Sequence, residues 1–165
     1  KIYDKLIIKN SNLQNYYYFK AICLDKLNKW EDTKTLLTRL ISKNPNNAYI
    51  LNYLSYSLAI RNEDLLTAKK LITKALKLEK DNGFFLDTLG WIQFKLNDIE
   101  KAIKTIQLAI EIEPDNAEII DHLGDIYYKI GRKKEAIFEW NRALIGNADD
   151  KLKKEIRSKL KKTNK

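Results

Sequence analysis

The chain repeats itself on a fixed ruler, and that ruler leaves few folds open. From Gly90, alanine follows after twelve residues (Ala102), again after seven (Ala109), and proline after five more (Pro114). From Gly124 the same ruler lands on Ala136, Ala143 and Ala148. From Ser55 it reaches Ala68, Ala75 and Lys80, once one extra residue is allowed in the turn around 62–65. From Ala21 it gives Thr33, Leu40 and Pro45. A leucine precedes the small residue at Leu54, Leu89 and Leu123, with Lys20 the exception. Self-similarity at such a period marks a stacked supersecondary unit that cannot bury its apolar face alone.

The best-formed copy, 83–116, shows what the unit is. Leu86, Leu89, Gly90, Ile92 and Leu96 fall at helical spacing, and Ile99, Ala102, Ile103, Ile106, Ala109 and Ile110 do so again. Between them Asn97 and Glu100 read as a capping box, as do Asn28 and Glu31 in the first copy. Pro114 ends the second helix, and Asp115, with Glu118 three residues on, opens the next. Each copy is a helical hairpin with one apolar face per helix. The spacing predicts helices over 14–27, 30–43, 47–60, 64–79, 83–96, 98–113, 116–130 and 133–145. Small residues at the helix crossings let backbones approach, so a side chain at Gly90 or Gly124 would overpack them.

These residues resemble the tetratricopeptide repeat: a bulky residue, Leu-Gly, an aromatic, then Ala, an aromatic, Ala and Pro over about 34 residues. The fourth copy fits best, with Ile120, Leu123-Gly124, Tyr127, Ala136, Trp140 and Ala143 in the matching places. Copy 1 departs most, at Lys20, Thr33 and Leu40. The stretches LNYLSYSLA, LDTLGWIQFKL and DHLGDIYYKIGRKKEAIFEW are similar to the C-terminal repeats of a bacterial tetratricopeptide family, some of whose members are exported or lipid-anchored. The resemblance implies an all-α solenoid of stacked antiparallel helix pairs forming a right-handed superhelix. It divides a single array, 1–165, into the second half of a preceding repeat (1–13), four repeats (14–47, 48–82, 83–116, 117–150) and a capping helix (149–162).

Composition agrees with a well-packed helical chain, at 44% hydrophobic and 32% charged residues. No run approaches the roughly 20 apolar residues that span a bilayer as a helix. The single cysteine, Cys23, allows no internal disulfide and reads as a small packed residue on the first hairpin. The chain opens on Lys1 and contains no methionine, which reads as a fragment of a longer protein. Tyr3, Leu6 and Ser11 fall where a preceding helix would place its aromatic, its packing residue and its stop. A signal peptide or lipid anchor would precede residue 1, so both a cytoplasmic and an exported location stay open, and membrane contact is expected only through that preceding part.

The last helix differs from the others. Leu152, Ile156 and Leu160 form one narrow stripe among charges, and residues 149–165 hold 8 Lys/Arg against 3 Asp/Glu, +5 of the chain's net +9. A solenoid must end in a helix apolar inside and polar outside, so this one reads as a cap over 136–145. A basic arm for nucleic acid or anionic membrane is the alternative. Against it, residues 1–148 carry 23 Lys/Arg and 19 Asp/Glu, a nearly balanced body.

Nothing in the motifs points to catalysis. His122 is the one histidine, so no His-rich metal site can form, and no Gly-rich phosphate loop is present. Asp121 and Asp125 share a helix face beside His122, a pattern that fits a solvated face better than a metal or acid–base trio, and His122 reads as a packing or capping residue. No cofactor is implied. A regulatory module of an enzyme whose catalytic part lies outside this chain is a further alternative.

The resemblance implies a groove lined by the first helix of each hairpin. On it, the ligand-binding residues are Tyr18, Ile22, Tyr49, Asn52, Tyr56, Phe84, Asp87, Trp91, Phe94, Glu118, Asp121, Asp125 and Tyr128, with Ala59 beside them. Tyr53 and Tyr127 lie off this face and read as packing. Aromatics on a concave face suit a peptide, which makes the chain a non-enzymatic scaffold binding a segment of another protein. Family members that grip a terminal carboxylate use Lys, Arg and Asn from these helices; here only Asn52 would serve. The groove's carboxylates therefore predict a partner with basic and apolar residues, its basic group near Asp87, Asp121 and Asp125 and stacked on Trp91 or Tyr56.

Overall fold

The computed structural model describes residues 11–163. Among them lie nine α-helices and no strand: α1 (Ser11–Lys26), α2 (Trp30–Lys43), α3 (Ala48–Ile60), α4 (Leu65–Leu78), α5 (Gly83–Lys95), α6 (Ile99–Ile112), α7 (Ala117–Lys129), α8 (Lys133–Ile145) and α9 (Asp150–Thr163). They fall into two compact units divided after Lys80, the first holding α1–α4 and the second α5–α9. Within each unit consecutive helices pair as hairpins, α1 with α2, α3 with α4, α5 with α6 and α7 with α8.

The turns inside the hairpins follow one recipe. Asn28, Asn62, Asn97 and Gly131 all take a left-handed backbone, with φ of 58°, 55°, 64° and 83°. Each ends its helix by a six-to-one bond from the following amide: Lys29 N–H to Leu24 O, Glu63 to Leu58, Asp98 to Gln93 and Arg132 to Tyr127, each 2.9 Å. Asn and Gly are the residues that tolerate this conformation, which is why they recur there. The capping boxes expected at Asn28/Glu31 and Asn97/Glu100 are therefore corrected. The asparagines are spent on the turn, and the N-cap positions, Lys29 and Asp98, make no side-chain cap bond. The extra residue of the second hairpin is absorbed by Asp64, also left-handed (φ 37°), whose carboxylate accepts from Thr67 N–H.

True capping sits between hairpins. Asn47, Asn82 and Asn116 are extended, and their side chains accept from the amides of Ile50, Phe85 and Ile119. Asn116, not Asp115 as expected, caps α7, and it also takes the Glu118 amide. α1 begins at Ser11, three residues ahead of the helix start expected at Gln14, with no proline or glycine between them to break it. The half-repeat expected over 1–13, with its stop at Ser11, rests on residues 1–10, which lie outside the described residues.

Packing follows the ruler. In the first unit Ala21, Ala68 and Ala75 are fully buried, and Ser55, in the glycine position, donates its hydroxyl to Ala68 O at 2.7 Å across the hairpin. In the second unit a Cβ on Gly90 would lie 2.4 Å from Ile106 Cγ1, and one on Gly124 would lie 2.5 Å from Trp140 Cδ1. Ile106, Ile119, Ile120, Leu123, Ile126 and Trp140 form one core with Ile156 of α9, which is 0% exposed. Leu152 and Leu160 pack half-buried at its edge. Each fully buried aliphatic side chain of this kind contributes about 1.5–3 kcal/mol. Cys23 departs from its expectation, being exposed. It lies two residues, roughly 200° of helix, from the packed Ala21 and so points away from α2. No helix among the described residues is long and apolar enough to cross a membrane.

Candidate functional site

The residues expected to line a groove all lie on the first helix of a hairpin, and the two units place them differently. In the first, Tyr18 on α1 meets Tyr53 on α3 edge-on, with ring centroids 5.8 Å apart. The Tyr53 hydroxyl donates to Asp25 at 3.0 Å, and Asp25 also pairs with Arg61. Burial, reinforced by the Asp25 contact, pushes the Tyr53 phenol well up from its ordinary range. Tyr53 is thus a packing residue, as expected. Ile22, Asn52 and Tyr56 are half-buried and Tyr49 is exposed, whereas Ala59 is fully buried and reaches no ligand. Asn52 Oδ1 is buried with no hydrogen-bond partner.

The second unit concentrates its aromatics. A cavity of about 380 Å³ is lined by Trp91 and Phe94 of α5, Tyr128 of α7 and Trp140 of α8. Trp91 and Phe94 lie 5.2 Å apart between centroids, and Tyr128 and Trp140 lie 5.4 Å apart. Helical spacing explains the first contact, since positions three apart share a face, whereas the second joins α7 to α8 across the hairpin. Of the thirteen expected residues, Trp91, Phe94, Asp125 and Tyr128 line this cavity. Phe84 and Glu118 sit exposed in the first turns of α5 and α7 and do not.

The carboxylates depart most from expectation. Asp87 is 7% exposed, and both its oxygens lie at His122 Nδ1, 2.9 and 3.0 Å away. The His122 ring stacks on Trp91 with centroids 4.5 Å apart. Burial works to lower the His122 pKa, but the charge and hydrogen bond of Asp87 outweigh it and raise the value to about 9. Asp121 is 5% exposed, and Lys159 of α9 inserts its ammonium between it and Asp125, 2.7 Å from an oxygen of each. Asp125 also accepts from Trp140 Nε1 at 3.1 Å. Burial and the Asp125 charge push the Asp121 carboxyl upward. Asp121 is therefore not the solvated surface carboxylate that its sequence context suggested. The three groups expected to attract a basic ligand already hold partners inside the unit. Tyr127 is 6% exposed with Arg132 over its ring at 4.5 Å, a packing residue as expected.

What sequence reasoning missed is the cavity's cationic rim: Lys95, Lys129, Lys159 and Lys162. Lys95 and Lys129 follow Trp91 and Asp125 by four residues and were within reach of a face argument. Lys159 and Lys162 were not, because only the docking of α9 brings them there. Among the described residues no group of three His, Cys, Asp or Glu is placed to hold a metal ion.

Hairpins built on this ruler define a helical-repeat protein, and comparison supplies the class. A family profile described as "TPR repeat" matches residues 90–131, and one described as "Tetratricopeptide repeat" matches residues 18–47. The chain thus carries tetratricopeptide repeats at these positions, and its all-α fold resembles that of tetratricopeptide solenoids. It is 37% identical over 90 residues to the TPR repeat-containing protein PA4667 of Pseudomonas aeruginosa, a match covering 53% of this chain and 15% of that protein. Its fold is similar to TTC0263, a thermophilic TPR protein of Thermus thermophilus, with a TM-score of 0.79, 21% identity, and 96% and 87% of the two chains covered. It is also similar to MamA from Desulfovibrio magneticus, with a TM-score of 0.66, 17% identity, and 79% and 73% covered.

Proposed function

We propose that the chain is a non-enzymatic interaction scaffold that holds a segment of a partner protein against the first-helix faces of its hairpins. Proteins of this repeat class generally bind other proteins, which supports the coarse reading. The observation that carries the finer one is the aromatic cavity of the second unit, with Trp91, Phe94 and Tyr128 presented toward it. Aromatic side chains bring large contact area at low entropic cost and dominate interface energetics. In the first unit Tyr18, Ile22, Tyr49, Asn52 and Tyr56 offer a second contact face, partly exposed. The charge preference expected from sequence, a basic partner, finds little support. A lysine or arginine would reach Asp121 and Asp125 only by displacing Lys159, and Asp87 only by displacing His122.

The α9 helix enters this reading as a fixed wall and not as a free basic arm, because Ile156 anchors it in the core. The test is selection of peptides from a random library on the whole chain, then measurement of the selected peptides on Trp91→Ala and Tyr128→Ala. Each substitution is expected to weaken binding about tenfold or more, the scale of an interface hot spot. Equal binding to both variants, with helicity unchanged, rules the groove out.

A further inference from the structure

We infer that the cavity of the second unit takes an acidic peptide segment with one aromatic or aliphatic anchor, carboxylate side chains flanking the anchor. The inference rests on the groove reading above and reverses the charge that the sequence suggested. Four lysines and one carboxylate line the cavity. The carboxylate, Asp125, is held by Lys159, which Asp121 also neutralises, so that cation is spent within the unit. Lys95, Lys129 and Lys162 remain. No ion pair holds any of them among the described residues. Lys95 leans over the Trp91 ring at 5.1 Å, a contact that leaves its charge in place. The three come from the C-terminal ends of α5, α7 and α9, one from each helix, and all line the cavity with the aromatic side chains.

A lone apolar ligand would leave these cations unanswered, and a basic one would meet repulsion from all three. Carboxylates on either side of a buried anchor meet both demands. The cavity's 380 Å³ stands near the small end of ligand pockets, about 300–1,000 Å³, which suits one or two side chains and not a docked helix. Single-stranded nucleic acid shares the pairing of aromatic and cationic groups, but it needs charges set along a track that follows successive phosphates. Here the three charges line one cavity.

The test is fluorescence anisotropy on the full chain with an acetylated, amidated peptide carrying Phe between pairs of Glu. Matched probes replace Glu by Gln, Glu by Lys, or Phe by Ala, and a dye-labelled oligo-dT is run alongside. The Glu–Phe peptide is expected to bind, weakening about tenfold with Gln or with Ala, and again about tenfold in the Lys95→Gln/Lys129→Gln/Lys162→Gln variant. Binding should also weaken as salt rises, as for any exposed charge pairing. If the Lys-flanked peptide binds as well or better and Tyr128→Ala abolishes it, the cavity is a groove of the wrong charge. The inference then fails while the scaffold reading stands. If only a peptide with a free C-terminus binds, or oligo-dT binds more tightly, the inference fails too. If none of these peptides binds while library-selected peptides do, the inference fails and the scaffold reading stands; if the library yields no binder either, both fail.

Discussion

The Asp87–His122 pair makes the second unit's stability depend on pH in a direction that can be worked out beforehand. With about 9 in the folded chain against an ordinary 6.5, His122 binds its proton more tightly folded than unfolded. Its contribution is therefore fully present below about pH 6.5 and is lost as pH rises through about 9. The gap of about 2.5 units, at 1.36 kcal/mol each, sets a ceiling of about 3 kcal/mol. The side chains are 12% and 9% exposed, so solvent screening takes little of it. Because the chain has one histidine, a single imidazole resonance can be followed by NMR without assignment. It should titrate near 9 in the wild type and well below that in Asp87→Asn. Urea unfolding should show the wild type losing stability between pH 6.5 and 9.5, and Asp87→Asn losing less. Lysines and tyrosines titrate near the upper limit in both proteins, and the difference between the two curves removes them. A wild-type resonance titrating at or below 6.5, or unmoved by Asp87→Asn, would refute the reasoning.

Other consequences are simpler to read. Gly124→Ala gains about 1 kcal/mol of helix propensity but drives a Cβ to 2.5 Å from fully packed Trp140, an overpacking cost of about 1–3 kcal/mol. The net expectation is a lower unfolding midpoint, and a raised midpoint would show that Trp140 can move aside. Ile156→Ala should cost about 2–5 kcal/mol, so a thermal midpoint close to wild type would mean that α9 does not close the core. Cys23, exposed on α1, should react with a thiol reagent in the native protein about as fast as in urea; protection without denaturant would contradict its position.

The repeat ruler settled most of the architecture, because it records local and pairwise demands written into the chain itself. Apolar periodicity fixes which face of each helix is inside, and a glycine or alanine fixes where two helices cross. These determined the hairpins, the overpacked positions at Gly90 and Gly124, and the aromatic faces that became Trp91, Phe94 and Tyr128. Local patterns were less decisive where two uses of one residue compete. An asparagine beside a helix start serves equally as an N-cap or as the left-handed end of the helix before it. Asn28 and Asn97 went to the turn because the six-to-one hydrogen bond closes the preceding helix there. The charge of the site was legible only in part. Lys95 and Lys129 share a helix face with Trp91 and Asp125, but the pairing of the carboxylates leaves no local trace. Asp87, Asp121 and Asp125 read as free carboxylates because their partners lie 35, 38 and 34 residues away, on helices whose faces meet only when the unit is packed. Docking Ile156 into the core carries Lys159 onto two carboxylates and brings Lys162 to the cavity lining, so the tertiary structure decides which charges face the cavity.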